Sequence, residues 1–410
     1  MGGTKGAGGS GAAAAAGGGA AGRRGSGGVG GGAGALGAAG SLARGGAAGA
    51  NGAAAGSSGA AGSGGAADMA GASGAGGANE TGGAAGSAGT TGIVDFSYKP
   101  WNFDPAAHRA AVTSSSSVRL DCGISTFDST SLAFGNWCGT FQPTPVTRPQ
   151  SGGQEIVVLP VASFTVASGA TLRLTGARPV VFAVFGDASI AGTIDASANG
   201  ATPGAGGNQS CGTSQGADGT GETMRLRGAS GGGGGGFATA GGKSGEANTD
   251  GKSEAPASGG VARGDDLLTP LFGGCAGGKA GGCTTAGGAG GGAVQVSAAG
   301  ELNATGSLLA NGAPGATPCG ADDEGGGTGG GSGGAIVLEG NTLVTTGATL
   351  QVNGGDGGNN GAYAGIFDCG EEAGGVGATS AITPGGDGID CQGGSPGGGG
   401  GYGRVLTMDR

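Results

Sequence analysis

The sequence predicts an all-β chain: a glycine-rich right-handed parallel β-helix, or solenoid, with an N-terminal cap and long glycine loops, preceded by a disordered stalk. Three observations predict it. Glycine supplies 115 of 410 residues, without the strict three-residue period of collagen. Short apolar segments of period-two alternation, such as TLRLT and AVQVS, lie between glycine-rich excursions. Those segments also repeat. SGATLRLTG at 168–176 returns as TGATLQVNG at 346–354, and GAVQVSAAGELNATGSLLANG at 292–312 parallels GAIVLEGNTLVTTGATLQVNG at 334–354.

Residues 1–92 are mostly glycine, alanine and serine, with no aromatic and no cysteine. Such a segment cannot bury enough apolar surface to offset its chain entropy, so it is expected to stay disordered. As a flexible coil, about 90 residues span roughly 50 Å root-mean-square, a stalk able to hold a domain off a surface. The start MGGTKGAGGSGAAAAAGGG has no leucine-rich hydrophobic region, so an export signal is expected upstream of Met1.

Composition changes at Ile93. Residues 93–153 carry Trp101, Trp137, the only histidine (His108), Cys122 and Cys138. A solenoid exposes an apolar end, so this segment is expected to be its N-terminal cap. Residues 154–410 are expected to form the solenoid itself.

Each copy there reads as strand, turn, strand and long loop. ASIAGTIDASANG at 188–200 provides a third copy of the ending. Residues Leu172, Leu174, Ile190, Ile194, Val294, Val296, Leu302, Leu308, Ile336, Leu338, Leu350 and Val352 are expected to point inward. Parallel stacking would put Leu172 in one column with Leu350, and Ile194 beside Leu308. Parallel crossovers are almost always right-handed, which sets the expected hand. Asn311-Gly312 and Asn353-Gly354 are followed by glycine, proline and acid rather than strand, so they are read as loop exits and not hairpin turns. VVFAVF at 180–185 is apolar on both faces and must be covered on both. The glycine tracts Gly231–Gly236 and Gly397–Gly401 suit either packed polyproline-II-like helices or disorder.

Eight cysteines, none in a CxxC pair, beside one histidine speak against zinc and for disulfides, hence for an oxidising compartment. Cys122–Cys138 is expected within the cap and Cys369–Cys391 across the last loop. Cys275–Cys283 and Cys211–Cys319 complete the set.

The succession ATLRLTGARPVVFAVFGDASIAGTIDASANG, SGGGGGGFATAGG, TPLFGGCAGGKAGG, GGAVQVSAAGELNATGSLLANG and GGGSGGAIVLEG resembles the glycine-rich secreted proteins and lipoproteins of myxobacteria. The resemblance covers roughly residues 120–410. It implies an extracellular or outer cell-surface location and carries over no catalytic residue.

Other chemistries match poorly. Net charge is −10 with no basic stripe, which disfavours nucleic acid. No transmembrane segment is expected. FATAGGKS at 237–244 has Phe237 where a phosphate loop needs glycine. The G-x-S-x-G matches around Ser230 and Ser332 lack a following helix, and His108 precedes both. Asp187, Asp195, Asp322, Asp323, Glu324, Asp356 and Asp387 are the available carboxylates, yet acid–base catalysis needs two of them roughly 5–9 Å apart. GGDGGNNG at 354–361 is similar to calcium-binding nonapeptide repeats, with Asn359 where aspartate is needed. Asp322, Asp323, Glu324 and Asp356 are therefore the calcium candidates. The expected function is a structural or adhesive surface protein without catalytic activity or cofactor, its partner an extracellular polysaccharide or protein. The alternative is a β-helix that binds or cleaves polysaccharide with the help of calcium.

Overall fold

Alternation with period two sets the strands. The computed structural model describes residues 92–221, 228–249, 252–263, 266–317, 325–361, 372–380, 383–392 and 394–410. The expected stalk up to residue 91, Cys319, Cys369 and the acidic run Asp322, Asp323 and Glu324 lie outside them. The described chain is almost wholly β, with one helical turn, α1 (Ala106–Arg109), and a 3-10 turn at Gly212–Ser214.

The strands form successive layers. β1 (Ser117–Leu120) and β2 (Ile124–Asp128) make the first, flanked by β3 (Ala133–Gly135) and β4 (Val146–Arg148). β5 (Ile156–Val161), β6 (Ser163–Val166) and β7 (Thr171–Thr175) make the second. β8 (Val180–Val184), β9 (Ala188–Ile190) and β10 (Thr193–Asp195) make the third. Inside the excursion that follows lie β11 (Ala247–Thr249) and β12 (Lys252–Glu254). β13 (Ala293–Ala304) with β14 (Ser307–Leu309), then β15 (Ala335–Val344) with β16 (Thr349–Gln351), make two more layers. β17 (Cys391–Gln392) pairs with β11, and β18 (Arg404–Asp409) lies on β15.

Two sheets result. The short strands stack in the order β16-β14-β10-β7-β2-β3, and the long strands form a nine-stranded sheet centred on β13. Pairing is parallel throughout the stack. The antiparallel exceptions there, β2–β3 and β4–β5, lie at sheet edges. β13 runs parallel to β15, with Val294 opposite Ile336.

The predicted columns are present. Leu172, Ile194, Leu308 and Leu350 lie in consecutive register across β7, β10, β14 and β16. Opposite them stand Val157, Val180, Val294, Ile336 and Val405. Of the residues expected inward, all are fully buried except Leu350, which packs half-buried on the same core. Each fully buried aliphatic contributes roughly 1.5–3 kcal/mol before entropy is counted. The repeated turn has a local cause: Gly169 and Gly347 hold φ of 81° and 86° between the long and short strands, a left-handed conformation glycine adopts without strain.

One register differs from expectation. Ser197, and not Asn199, is level with Asn311 and Asn353: Asn311 N donates to Ser197 Oγ (3.1 Å) and Asn353 N donates to Asn311 Oδ1 (2.8 Å). Asn199 instead makes a turn closed by paired bonds with Thr202. The third copy therefore reaches the shared exit two residues before its Asn-Gly.

The outer face of the long-strand sheet is covered as well, as VVFAVF required. Ile156, Val158, Val181, Ala183 and Val337 point there and pack with Phe103, Leu271 and Phe237 in a second apolar cluster. Residues 93–112 cross this face, with Phe96 edge-on to Phe185 at 5.2 Å. In the same N-terminal region, Phe134 and Trp137 close the first layer, their rings 4.7 Å apart.

The glycine excursions are built by backbone hydrogen bonds that recur at every third residue. Gly397, Gly400 and Gly403 donate to Gly358, Gly355 and Val352 in turn (2.9, 2.8 and 2.7 Å). Gly232 and Gly235 donate to Gly327 and Gly330, and Gly330 and Gly333 to Gly398 and Gly401. A segment whose partners repeat at i and i+3, and which bonds only to its neighbours, turns once per three residues, the geometry of polyproline II. The tract Gly231–Gly236 is wholly buried in this array. The packing leaves no room for side chains: a Cβ on Gly234 would collide with the Gly399 carbonyl.

Disulfides join these parts. Cys122 is bonded to Cys138 as predicted, with a Cα separation of 6.2 Å. Cys211 is bonded to Cys275 (Cα separation 5.7 Å), so neither Cys211–Cys319 nor Cys275–Cys283 forms. The cause is the array: Asn208 N to Gly274 O (2.8 Å) and Gly216 N to Ala276 O (3.0 Å) align the two segments and bring their cysteines face to face. Cys283 is also disulfide-bonded.

Candidate functional site

The outward face of the short-strand sheet is a regular polar surface. Parity dictates it. With Leu172, Ile194, Leu308 and Leu350 turned in, their neighbours turn out. One row runs Ile124, Thr171, Thr193, Ser307, Thr349, and the next Thr126, Arg173, Asp195, Leu309, Gln351. Adjacent members of a row are about 4.8 Å apart, the spacing of paired strands. The face thus presents hydroxyls at a fixed interval along the stack, starting from an exposed Ile124.

The ion pair on this face is internal to it. Arg173 Nη1 lies 2.5 Å from Asp195 Oδ2, while Nη2 donates to Ser197 O and Ser197 N donates to Asp195 Oδ1 at 2.9 Å. Asp195 is therefore held by a cation from the preceding layer and has no second carboxylate beside it in either row. It positions the loop exit and offers no acid–base pair.

The other predicted carboxylates are dispersed. Asp187 Oδ1 accepts from Glu301 N, Asp356 Oδ1 from Gly377 N and Asp387 Oδ1 from Lys243 N. Each occupies the place of a backbone carbonyl at the edge of the sheet or the glycine array. Among the described residues, no three His, Cys, Asp or Glu side chains gather where a metal ion would sit.

Both serines of the G-x-S-x-G matches are fully buried. Ser230 Oγ accepts from Thr220 N at 2.8 Å, and Ser332 Oγ accepts from Cys275 N at 2.8 Å. Each hydroxyl completes the array and faces no base. His108 is buried against Phe103, and burial, assisted by Arg148, holds its pKa below the ordinary value.

Two groups escaped sequence reasoning. Glu339 on β15 is fully buried on the outer face of the long-strand sheet. Its Oε2 accepts from Ser297 Oγ (2.7 Å) and Gln295 Nε2 (2.9 Å), its Oε1 from Arg410 Nη2 (2.8 Å), and Trp101 N approaches both oxygens at 3.3 Å. Gln295 in turn accepts from Asn102 Nδ2 and donates to Trp101 O. Beside it, burial and then the Glu339 charge raise the Tyr98 phenol well above its ordinary pKa. The available signal was three polar residues of one parity, Gln295, Ser297 and Glu339, inside otherwise apolar strands. The second group is Arg263, whose guanidinium lies 4.0 Å from the Phe272 ring centroid and beside the Cys211–Cys275 bridge. No local pattern announces it.

Among the described residues, no helix is long and apolar enough to cross a membrane. No protein-family model, curated protein or solved structure matches the chain.

Proposed function

We propose that this chain is an exported structural or adhesive surface protein, without catalytic activity, whose parallel stack is a right-handed β-helix carrying a glycine-helix array. The observation that carries this reading is the array itself. Long excursions from successive layers fold together through backbone bonds and a disulfide, which makes a stiff body from segments with few reactive side chains. Disulfides persist in oxidising compartments, which favours an extracellular setting. The likeness to glycine-rich secreted proteins and lipoproteins of myxobacteria agrees with it. Surface biotinylation of intact producing cells tests the proposal: the chain should be labelled and should carry Cys211–Cys275 oxidised. Recovery only from the cytoplasm, with both cysteines as free thiols, would overturn it.

A second reading rests on the hydroxyl rows. A linear polysaccharide lying along the stack would meet Thr171, Thr193, Ser307 and Thr349 at one repeat per layer. Saturable binding on a glycan array, weakened by Thr193→Lys and compared with and without calcium, would support it. Equal binding by the variant would reject it.

A further inference from the structure

We propose that Cys211–Cys275 is a thiol–disulfide exchange site, activated by Arg263, at which an external small thiol forms a mixed disulfide with Cys211. Arg263 Nη1 lies 3.5 Å from Cys275 Sγ and 3.7 Å from Cys211 Sγ. Its guanidinium is fixed there by the Phe272 ring and by donation to Gln209 O at 2.9 Å. A cation beside a sulfur stabilises the thiolate, and a stabilised thiolate leaves faster in exchange. The Cys122–Cys138 bridge has no such cation among the described residues: the side-chain neighbour of both its sulfurs is the Ser125 hydroxyl, at 3.9 and 3.7 Å.

Exposure sets the direction of attack. Cys275 is fully buried, whereas Cys211 is half-buried at the outside of the array. An external thiolate attacks Cys211 Sγ, the Sγ–Sγ bond breaks, and its electron pair leaves on Cys275 Sγ as a thiolate beside Arg263. The new bond joins Cys211 to the external sulfur, so one disulfide replaces another with no net oxidation. The reverse attack by Cys275 on Cys211 releases the thiol again. Opening the bridge does not release the segments, because Asn208 N to Gly274 O and Gly216 N to Ala276 O hold them on either side. Cys275 therefore stays in place to resolve the adduct.

The test is exposure of the oxidised full chain to glutathione, with acid quench, alkylation and peptide mass mapping over time. The adduct should appear on Cys211, and Cys211–Cys275 should open about tenfold faster than Cys122–Cys138. Burial alone predicts the opposite order, since both cysteines of the latter bridge are half-buried. Arg263→Gln should slow opening of Cys211–Cys275 about tenfold and leave Cys122–Cys138 unchanged. Should that variant fail to fold, Cys211–Cys275 and Cys122–Cys138 of the unaltered chain are compared in about 0.05 M and about 1 M salt, where only the Arg263-dependent rate should fall. Equal rates at the two bridges, an adduct on Cys275, or a rate insensitive to both Arg263→Gln and salt would overturn the proposal.

Discussion

Arg410 Nη2 donates to Glu339 Oε1 at 2.8 Å, placing a partly exposed guanidinium against a carboxylate with no solvent exposure. The Arg410 guanidinium also faces the rings of Trp101 and Tyr98 at 5.5 and 5.7 Å. One ion pair thus ties the last strand to β15 and to the segment that crosses the outer face. Removing one partner of a buried pair leaves the other charge uncompensated, a loss of about 3–5 kcal/mol. Arg410→Ala should destabilise the chain at the lower end of that range, since Arg410 keeps some contact with water. Chemical denaturation measures it, and added guanidinium at low concentration should restore part of the loss.

The glycine array makes a prediction that ordinary loops would not. Gly234→Ala puts a methyl group into the Gly399 carbonyl and should cost at least about 2 kcal/mol, as overpacking does. At Gly123 an added Cβ meets nothing within 4 Å, so Gly123→Ala should change stability by less than about 0.5 kcal/mol. Equal tolerance at the two sites, in the same denaturation assay, would contradict a packed array.

In the core, Ile194 stands between Leu172 and Leu308 in the inward column and is fully buried. Ile194→Ala should cost about 2–5 kcal/mol, the transfer term plus the cavity left between two layers. Its neighbour Thr193 points outward, and Thr193→Ala should lower stability by well under half as much.

His108 supplies a dependence on pH. Burial lowers its pKa in the folded chain below the ordinary value of 6.5, so the unfolded chain binds the proton more readily. Stability should therefore be full above about pH 6.5 and decline as pH falls below it, until the folded-state pKa is passed. Comparing unfolding free energies at pH 7.5 and 5.5 for the native chain and His108→Phe isolates this contribution, which the variant should lack.

The inward columns were legible in the sequence because they depend on parity and on repetition, both local properties. Leu172 and Leu350 occupy equivalent places in SGATLRLTG and TGATLQVNG, and the turn glycines Gly169 and Gly347 keep those places in step. A third copy with the same ending misled by two residues at Ser197, because its Asn-Gly closes a turn of its own instead of continuing the ladder.

The sequence by itself determined the strands, their inward faces, the parallel direction of stacking and the Cys122–Cys138 bridge, whose partners are close along the chain. Tertiary structure alone decided the rest. A glycine tract carries no side-chain pattern, so which segments pack around Gly231–Gly236 depends on backbone bonds between residues as distant as Gly235 and Gly401. The same long-range packing decided that Cys211 meets Cys275, that Arg263 reaches their sulfurs, and that Glu339 is buried beneath Trp101 and Arg410. Each of these depends on which surfaces meet, which no single stretch of the sequence encodes.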